Sequence, residues 1–388
     1  MVDADTPLLM DGKLRQRRDG SGIAEAYLPS PCVQNHAANL MPLGGGSLGC
    51  VWFGGSQEGK SDISIYFSRL AAGSATWSAS VRLSNDAERS EQNPILFPAP
   101  MGELWLLHTA QISGNQDTSV VKRRISRDGG LTWTLPDVLI REAGTFVRQP
   151  LVVLDDGRWL LPCFLCRTTP GTRWLGEQDV SVVKVSSDRG ASWEDVAVPQ
   201  STGLVHMSIV PVSDGRLIGL FRSRFADAIH ISSSSDNGRT WSAPAATDLP
   251  NNNSSIQATR LRDGRIVLVF NNSRRTETTE RRASLYDEIE DEGPANEVTA
   301  TGRQAFWGTP RAPVTLAVSE DDGGSWRIVA DLETGDGYCL TNNSELRLNR
   351  ELSYPTVTAA AEGDLDVAFT YHRRAIKHLR VPRRLLDC

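Results

Sequence analysis

The chain has 388 residues, of which 39% are hydrophobic and 23% are charged, and its formal net charge at pH 7 is −6. This apolar content is enough to bury a large core, and no apolar run reaches the roughly 20 residues that a membrane-spanning helix needs. The negative charge is spread along the chain, which disfavours nucleic acid as a partner.

The first 20 residues are polar and charged and lack the apolar segment of a signal peptide. We therefore predict a polar N-terminal segment, residues 1–20, ahead of a single domain, residues 21–388. A cytoplasmic protein is expected, and a secreted protein that has lost its leader stays open. The six cysteines have no regular spacing, which favours free thiols in a reducing compartment. They are Cys32, Cys50, Cys163, Cys166, Cys339 and Cys388.

Six apolar strand pairs meet at glycine-containing turns along the chain, each of which predicts a β-hairpin. The turns are residues 43–46, 100–103, 155–158, 213–216, 262–265 and 361–364. One hairpin per blade gives an all-β protein, a six-bladed β-propeller. A seventh, degenerate blade between residues 264 and 363 stays open at this point.

A second repeat is the phrase Ser-x-Asp-x-Gly-x-(Ser/Thr)-Trp, which begins at Ser126, Ser186, Ser234 and Ser319. A degenerate fifth copy runs from residue 68 to residue 77. Each phrase predicts a tight turn with the Trp packed beneath it, and repeats at such spacings are typical of a propeller. The long final interval requires an insertion, and the polar stretch 274–304 predicts a long loop over one face.

If all of these turns lie on one face, the opposite rim is formed by the starts of the first strands and the ends of the second strands. The first strands start at Asn35-His36, Gln92-Asn93, Arg148-Gln149, His206-Met207, Ile256-Gln257 and Ser353-Tyr354. The second strands end near His108, Arg167, Arg222, Arg224, Asn271, Arg274 and Tyr371-His372-Arg373, and the loop 54–59 leads to Asp62. Arginine forks bind carboxylates, and histidine serves as a base near neutral pH, so the rim predicts an anion-binding catalytic pocket. A water-filled structural funnel is the alternative.

The Trp-ended phrases resemble the Asp-boxes, or BNR repeats, of the sialidase superfamily, over residues 31–380. Residues 36–40, 53–59 and 353–355 are similar to motifs of one branch of sialidase-like proteins. The resemblance implies a sialidase-type propeller, but a fold alone does not specify a reaction.

True sialidases bind the substrate carboxylate with three arginines and attack with a tyrosine that a glutamate activates. The first arginine belongs to a Phe/Tyr-Arg-Ile-Pro segment, where this chain has residues 32–36, Cys-Val-Gln-Asn-His. Leu352 stands at the tyrosine position, and Tyr354 lies two residues further on, where its side chain would point the same way along a strand. These departures disfavour sialidase activity.

The chemistry of the rim is closer to that of sialidase-like lyases, including fungal enzymes that release L-rhamnose from L-rhamnosyl-α-1,4-D-glucuronate in gum arabic. This resemblance implies β-elimination on an anionic, uronate-containing polysaccharide. Arg222, with Arg148 or Arg167, would neutralise the carboxylate. His36 or His206 would take the C5 proton, and Tyr354 would exchange a proton with the glycosidic oxygen. Sugar contacts are expected from Glu58, Asp62, His108, Gln149, Gln257, Asn271 and Arg373.

Two other functions stay open. A glycoside hydrolase would need an acid–base pair such as Glu58 with Asp62. A carbohydrate-binding propeller without catalysis would need only the funnel and its hydrogen-bond donors. We expect a monomer without a membrane partner and with no metal-binding side-chain cluster, although backbone carbonyls of the channel could hold a calcium ion.

Overall fold

The computed structural model describes residues 8–282, 284–286, 288–289, 302–360 and 363–387. These residues form six antiparallel sheets that follow one another around a ring. The prediction of an all-β, six-bladed propeller is therefore confirmed. No helix within the described ranges is both long enough and apolar enough to cross a membrane.

Two short N-terminal strands, β1 (Arg15–Gln16) and β2 (Ala24–Tyr27), come before the first blade. Blade 1 consists of β3 (Gln34–Gly44), β4 (Ser47–Gly55), β5 (Ser64–Leu70) and β6 (Val81–Arg82). Blade 2 consists of β7 (Ser90–Pro98), β8 (Leu104–Ile112), β9 (Asn115–Ser126) and β10 (Asp137–Ile140). Blade 3 consists of β11 (Thr145–Val147), β12 (Val152–Val153), β13 (Trp159–Leu165), β14 (Val180–Ser186) and β15 (Glu194–Ala197).

Blade 4 consists of β16 (Leu204–Pro211), β17 (Leu217–Ser223), β18 (Ala228–Ser234) and β19 (Ala245–Pro250). Blade 5 consists of β20 (Gln257–Arg260), β21 (Ile266–Asn271), β22 (Val314–Ser319) and β23 (Arg327–Glu333). Blade 6 contains β24 (Leu352–Ala359), β25 (Leu365–Tyr371) and β26 (Ala375–Val381). Short 3-10 helices span Ser344–Leu346 and Arg383–Asp387.

The ring is closed by the N-terminal strands. Strand β2 pairs antiparallel with β26, with Ala24 opposite Arg380, and β1 pairs with β2. The last blade therefore combines both ends of the described chain. Because β1 belongs to this sheet, the boundary predicted at residue 20 lies inside the propeller, and residues 1–7 lie outside the described residues.

Apolar residues fill the spaces between neighbouring blades. Strand β21 is buried along its whole length, and Val267 and Val269 share a core cluster with Val357 and Val367 of blade 6. A blade that packs against a neighbour on each side buries both of its faces, so its central strands need apolar residues at successive positions. Five cysteines are free, of which only Cys32 is not fully buried, and Cys388 lies outside the described residues.

The four Trp-ended phrases form hydrogen-bonded turns between the third and fourth strands of their blades. In blade 3, Ser186 Oγ accepts from the Gly190 N–H at 2.7 Å, and Asp188 accepts from the backbone N–H of Ser192 at 2.9 Å. The same contacts recur in blades 2, 4 and 5. The carboxylates thus hold their own turns together, as the sequence predicts.

The glycine turns join the first and second strands, so they lie on the same face as the Asp-boxes. Residues 361–362 of the last turn lie outside the described residues. Each first strand consequently starts on the opposite, upper face. There the β21–β22 connection, residues 272–313, includes the predicted insertion, of which residues 283, 287 and 290–301 are not among the described residues.

Candidate active site

Four of the innermost strands carry a β-bulge at their upper ends. The pairing register shifts after His36 in β3, Gln92 in β7, Val205 in β16 and Ser353 in β24. Each bulge holds one left-handed residue, namely Ala37 (φ 60°), Asn93 (φ 47°), His206 (φ 54°) and Tyr354 (φ 54°). Bulges re-aim side chains, and left-handed residues other than glycine cost about 1–2 kcal/mol each, so the surrounding structure must hold them in place.

Tyr354 lies at the centre of the upper rim and is 6% exposed. Its ring centroid is 4.3 Å from that of His36 and 5.6 Å from that of His206. Its hydroxyl accepts a hydrogen bond from Arg222 Nη1 at 2.5 Å. The guanidinium carbons of Arg148 and Arg311 lie 5.2 Å and 5.8 Å from the ring centroid. We call these six residues, which come from five blades, the Tyr354 cluster.

Arg222 is a fully buried cation whose hydrogen bonds leave one nitrogen of the guanidinium without a partner. Its Nε donates to Asn253 Oδ1 at 2.8 Å, whereas Nη2 has no hydrogen-bond partner. Burial lowers the pKa of Arg222 to about 9, although Tyr354 acts against that shift. No described carboxylate forms an ion pair with Arg222. A dry cation with a free donor is suited to bind an anion.

A chain of ion pairs lies behind the cluster. Arg311 Nη1 donates to Glu351 Oε2 at 2.8 Å, and Arg373 donates to both Glu351 and Glu58. Burial acts to raise the pKa of Glu351, but Arg373 and Arg311 outweigh it and hold that pKa below its usual value. Glu58 and Glu351 are thus committed to arginines. Neither carboxylate is available as a free proton donor.

The two histidines of the cluster are both neutral at pH 7. Burial and then the neighbouring arginines, chiefly Arg373 for His36 and Arg222 for His206, lower both pKa values well below 6.5. His36 Nδ1 is 2.8 Å from Thr370 Oγ1 and 3.9 Å from Glu351 Oε1. His206 packs on Phe164, and its Nδ1 has no hydrogen-bond partner.

An aromatic wall encloses the blade 3 side of the cluster. Arg224 forms a buried ion pair with Asp179 at 2.7 Å and packs on Trp174 and Trp307, whose ring centroids are 5.3 Å and 5.0 Å from its guanidinium carbon. Trp307 also lies 5.7 Å from the guanidinium carbon of Arg222. The wall therefore adjoins the free donor of Arg222.

The β21–β22 connection supplies Trp307 and crosses the upper face. Tyr286, from the same connection, donates to or accepts from three glutamines of blade 2, the shortest contact being Gln116 Nε2 to its hydroxyl at 2.8 Å. The insertion therefore reaches from blade 5 to blade 2 over the cluster. The sequence predicts a long loop over one face in this stretch of the chain.

Four residues predicted to bind substrate are instead tied to the scaffold. Arg148 donates to Ala37 O, Ala38 O, Tyr354 O and Ser255 Oγ. Gln149 Nε2 donates to Ile256 O at 2.6 Å, Gln257 Oε1 accepts from the Val357 N–H at 3.1 Å, and Asn271 Nδ2 donates to Leu352 O at 2.6 Å. Gln257 and Asn271 thus join blade 5 to the neighbouring blade 6, whereas Arg148 and Gln149 reach from blade 3 to blades that are not its neighbours. Gln149 and Gln257 also line a cavity of about 260 Å³ along the propeller axis.

Three other predicted residues lie apart from the cluster. Arg167 is exposed, so it is not positioned to neutralise a buried carboxylate. Asp62 is exposed and accepts from the N–H and hydroxyl of Ser56, whereas Glu58, its partner in the hydrolase alternative, is buried and ion-paired with Arg373. His108 Nε2 lies 3.0 Å from Glu91 Oε1 inside blade 2, so its partner is a buried carboxylate of the same blade.

Three residues of this region, Arg311, Glu351 and Asn253, were not predicted from the sequence. Arg311 lies between prolines in a connection without strand periodicity, and Asn253 precedes β20 in a polar run. Glu351 stands directly before the apolar strand β24, and a charge at a strand entrance is the signal that would have identified it. Within the described ranges, no group of three His, Cys, Asp or Glu side chains could hold a metal ion.

A larger cleft, of about 940 Å³, lies on the lower face between blades 1, 5 and 6. Its lining includes residues 44, 46–48, 261–263 and 358–360, which lie in or next to the turns that close that face. It is therefore remote from the Tyr354 cluster at the opposite ends of the same strands.

The BNR repeat-like domain family matches residues 46–367 of the chain. No curated protein matches the sequence. A Hadza microbial sialidase superposes with a TM-score of 0.67 at 14% identity, covering 91% of this chain and 66% of its own. The Ruminococcus gnavus intramolecular trans-sialidase has a TM-score of 0.64 at 12% identity, covering 98% and 100%. The Trypanosoma rangeli sialidase has a TM-score of 0.63 at 12% identity, and the match covers 98% of this chain and 59% of the sialidase chain. Such low identities show a shared fold.

Proposed function

The chain belongs to the BNR repeat-like domain family, within the sialidase superfamily, and from that premise we propose that it is a carbohydrate-active lyase. It would cleave the bond between C4 and O4 of a glucuronate by β-elimination and release terminal L-rhamnose, which leaves with O4, from side chains of the gum arabic type. The observation that carries the proposal is Arg222, a fully buried cation with an unpartnered Nη2 beside the hydroxyl of Tyr354.

Arg222 and Arg311 form the carboxylate-binding pair in this proposal. The two guanidinium carbons lie 5.4 Å and 5.8 Å from the ring centroid of Tyr354, so a carboxylate between them would also be next to that ring. Arg311 keeps its charge because Glu351 outweighs the effect of burial and raises its pKa. Near the rim the buried arginines outnumber the buried carboxylates. There are five such arginines, residues 148, 222, 224, 311 and 373, and three such carboxylates, Glu58, Asp179 and Glu351. This excess of positive charge favours an anionic substrate.

Binding of the carboxylate would acidify the neighbouring C5 proton, because the carbanion-like transition state delocalises charge onto the carboxylate oxygens. His206 takes the proton from C5, and the electron pair of the C5–H bond forms the C4=C5 double bond. The bond between C4 and O4 breaks, and Tyr354 gives its phenolic proton to O4. The products are the released sugar, which keeps O4 as its hydroxyl, and an unsaturated uronate.

His206 suits the role of base for two reasons. Its Nδ1 has no partner, whereas Nδ1 of His36 is engaged by Thr370. Its pKa is lowered by burial and by Arg222, so it is neutral and able to accept a proton at pH 7. A carboxylate on Arg222 would offset that positive charge and make the imidazole more basic when the substrate is bound. His36 packs at 4.3 Å from Tyr354 and would fix the ring.

An exo-acting glycoside hydrolase is the second candidate, and the orientation of Tyr354 favours it. A tyrosine hydroxyl bound to an arginine is also suited to act as a nucleophile at an anomeric carbon. Against this reading stands the state of the carboxylates, because Glu58 and Glu351 are ion-paired and Asp62 is exposed. Elimination needs no carboxylate acid or base.

Ultraviolet absorbance and sugar chromatography during incubation with gum arabic test the proposal, alongside a fluorogenic sialoside. Released rhamnose with rising absorbance from a conjugated double bond would support elimination. Sugar release without that absorbance would replace the lyase with the hydrolase. Tyr354→Phe should abolish either reaction, whereas Tyr66→Phe, in β5 outside the cluster, should leave it unchanged. Silence on all substrates would contradict both enzymes and favour a carbohydrate-binding protein.

A further inference from the structure

Arg148 occupies the break between β11 and β12 in the innermost strand of blade 3. It is 3% exposed and donates four hydrogen bonds, to Ser255 Oγ at 3.2 Å, Ala37 O at 3.3 Å, Ala38 O at 3.0 Å and Tyr354 O at 3.1 Å. An arginine has five N–H groups, so this pattern uses nearly all of its donors.

The acceptors belong to three other blades. Ala37 and Ala38 lie in the bulge of blade 1, Tyr354 lies in the bulge of blade 6, and Ser255 precedes β20 of blade 5. Ala37 and Tyr354 are both left-handed, and their carbonyl oxygens point at the same guanidinium. The backbone conformation that aims the Tyr354 ring at Arg222 is thus held at its carbonyl by a buried cation, while the Tyr354 N–H donates to Ser254 Oγ at 3.4 Å.

We propose that Arg148 is a positioning residue, which acts on the reaction through the backbone of Ala37 and Tyr354 and leaves carboxylate binding to Arg222 and Arg311. The inference rests on the proposed function for its kinetic consequences, whereas its structural content does not depend on the substrate. It replaces the expectation that Arg148 contacts the sugar.

A second effect of Arg148 is electrostatic. No described carboxylate forms an ion pair with it, and burial lowers its pKa to about 10, so it remains charged at pH 7. It is one of the arginines that lower the pKa values of His36 and His206, with a smaller effect than burial and two other arginines in each case. The fork of Arg148 therefore sets geometry, and its charge helps to keep both imidazoles neutral.

Arg148→Lys and Arg148→Met separate these two contributions. Lysine keeps the charge but loses the planar fork that reaches carbonyls of several blades, and methionine loses both. The matched control is Arg124→Met, since Arg124 in β9 also donates to backbone carbonyls, those of Leu83, Trp133 and Thr134, outside the Tyr354 cluster. The control should lower the melting temperature and leave kcat, KM and the pH profile unchanged.

Both Arg148 variants should lose kcat by about 100-fold while KM changes by less than about threefold, because a misplaced catalytic group slows the chemical step more than it weakens binding. The acid limb of the pH profile should move to higher pH in Arg148→Met and stay in place in Arg148→Lys. A rise in KM alone would mean that Arg148 binds substrate. Variants that behave like Arg124→Met would reduce Arg148 to a structural residue. Either result overturns the inference.

An NMR measurement without substrate tests the role of Arg148 independently of the proposed function. Isotope-labelled histidine in the full chain allows the imidazoles of His36 and His206 to be titrated by NMR, with assignments from His36→Gln and His206→Gln. Arg148→Met should raise both pKa values, and Arg148→Lys should shift the resonances with little change in either pKa. Unchanged spectra in both variants would refute the inference even if the wild-type protein proved inactive on every uronate. If Arg148→Met fails to fold, the Arg148→Lys resonances decide.

Discussion

Arg222 lies in an environment that a stable protein normally avoids. Its guanidinium is fully buried, it faces no described carboxylate, and one of its nitrogens has no hydrogen-bond partner. Isolation of a buried charge costs several kcal/mol after relaxation of the protein. Such a cost persists where a ligand supplies the missing partner, and a carboxylate on Arg222 would do so.

Arg222→Met should therefore abolish activity without destabilising the fold. Removal of the unpaired charge relieves a cost of several kcal/mol, which offsets the roughly 1–3 kcal/mol for the lost hydrogen bonds to Asn253 and Tyr354. We expect kcat/KM to fall by at least about 1000-fold, the scale of losing one transition-state donor, with the melting temperature close to that of the wild type. Steady-state kinetics and thermal unfolding check this. A large fall in both quantities would show that Arg222 is structural.

The depressed pKa values of the two histidines predict how activity depends on pH. In the free protein, burial and Arg222 keep the pKa of His206 well below 6.5. A bound carboxylate neutralises part of that charge, so the pKa of His206 rises in the complex. The acid limb of kcat, which reports the complex, should lie at higher pH than the acid limb of kcat/KM, which reports the free enzyme. Coincident limbs, or limbs in the reverse order, would contradict the role of Arg222 as the carboxylate site.

At the scale of the element, the Asp-boxes show how repeated turns join neighbouring blades. In blade 3, Gly190 has φ 83°, and a Cβ built on it would lie 2.7 Å from a ring carbon of Trp105 in blade 2. The turn thus packs against the preceding blade through a position that has no room for a side chain. Gly157, in the other turn of blade 3, has φ 84° and nothing within 4 Å of a built Cβ.

Gly190→Ala and Gly157→Ala together isolate the contact between blades. Both substitutions place an alanine in a left-handed conformation, which costs roughly 1–2 kcal/mol. Only Gly190→Ala adds a clash, and overpacking costs about a further 1–3 kcal/mol. Denaturant unfolding should therefore show a larger loss of stability for Gly190→Ala, with activity retained by both. Equal losses would indicate that the Asp-box turn does not carry the contact between the blades.

Elements were predictable where a local pattern encodes them. The Ser–Asp–Gly–Trp phrase contains its own hydrogen-bond partners within eight residues, so its turn follows from the sequence alone. The bulges that aim His206 and Tyr354 have no such signal, because a left-handed histidine or tyrosine is set by tertiary contacts such as that of Arg148 with the Tyr354 carbonyl. The ring order of the candidate residues was therefore visible in the sequence, but their orientations were not.

The whole ring explains the remaining differences between sequence and structure. Tyr286 meets Gln116 across 170 positions of the chain, and Arg311 meets Glu351 across 40. Such contacts form only when the six blades close into a ring. The repeats and the hydrophobic periodicity of the sequence do not indicate which residues then meet. Glu58 illustrates the consequence, since it was expected to contact the sugar, or to act with Asp62 in the hydrolase alternative, and it forms an ion pair with Arg373 of the last blade. Such an ion pair joins residues that are far apart in the chain and that come together only when the ring closes.

Closure itself depends on residues 8–28, which contact three blades. Strand β2 pairs with β26 of blade 6, Leu14 N–H donates to Ala75 O of blade 1 at 2.8 Å, and Arg17 Nη1 donates to Leu332 O of blade 5 at 2.7 Å. Leu28 is completely buried among blades 1 and 6. Removal of this segment would leave β26 as an unpaired edge strand beside an opened core, which promotes self-association.

A chain that starts at residue 29 should therefore melt at a temperature lower by about 10 °C or more, the scale expected when several kcal/mol are lost from a chain of this size. It should also self-associate on gel filtration. A synthetic peptide of residues 8–28, added in trans, should restore the melting temperature and the elution volume of the intact protein, because it re-forms the pairing with β26 and binds only the folded ring. The same peptide with Leu28→Asp should fail, since it would bury an unpaired charge in the closed core. A truncated chain that melts with the intact protein would show that the blade contacts alone close the ring.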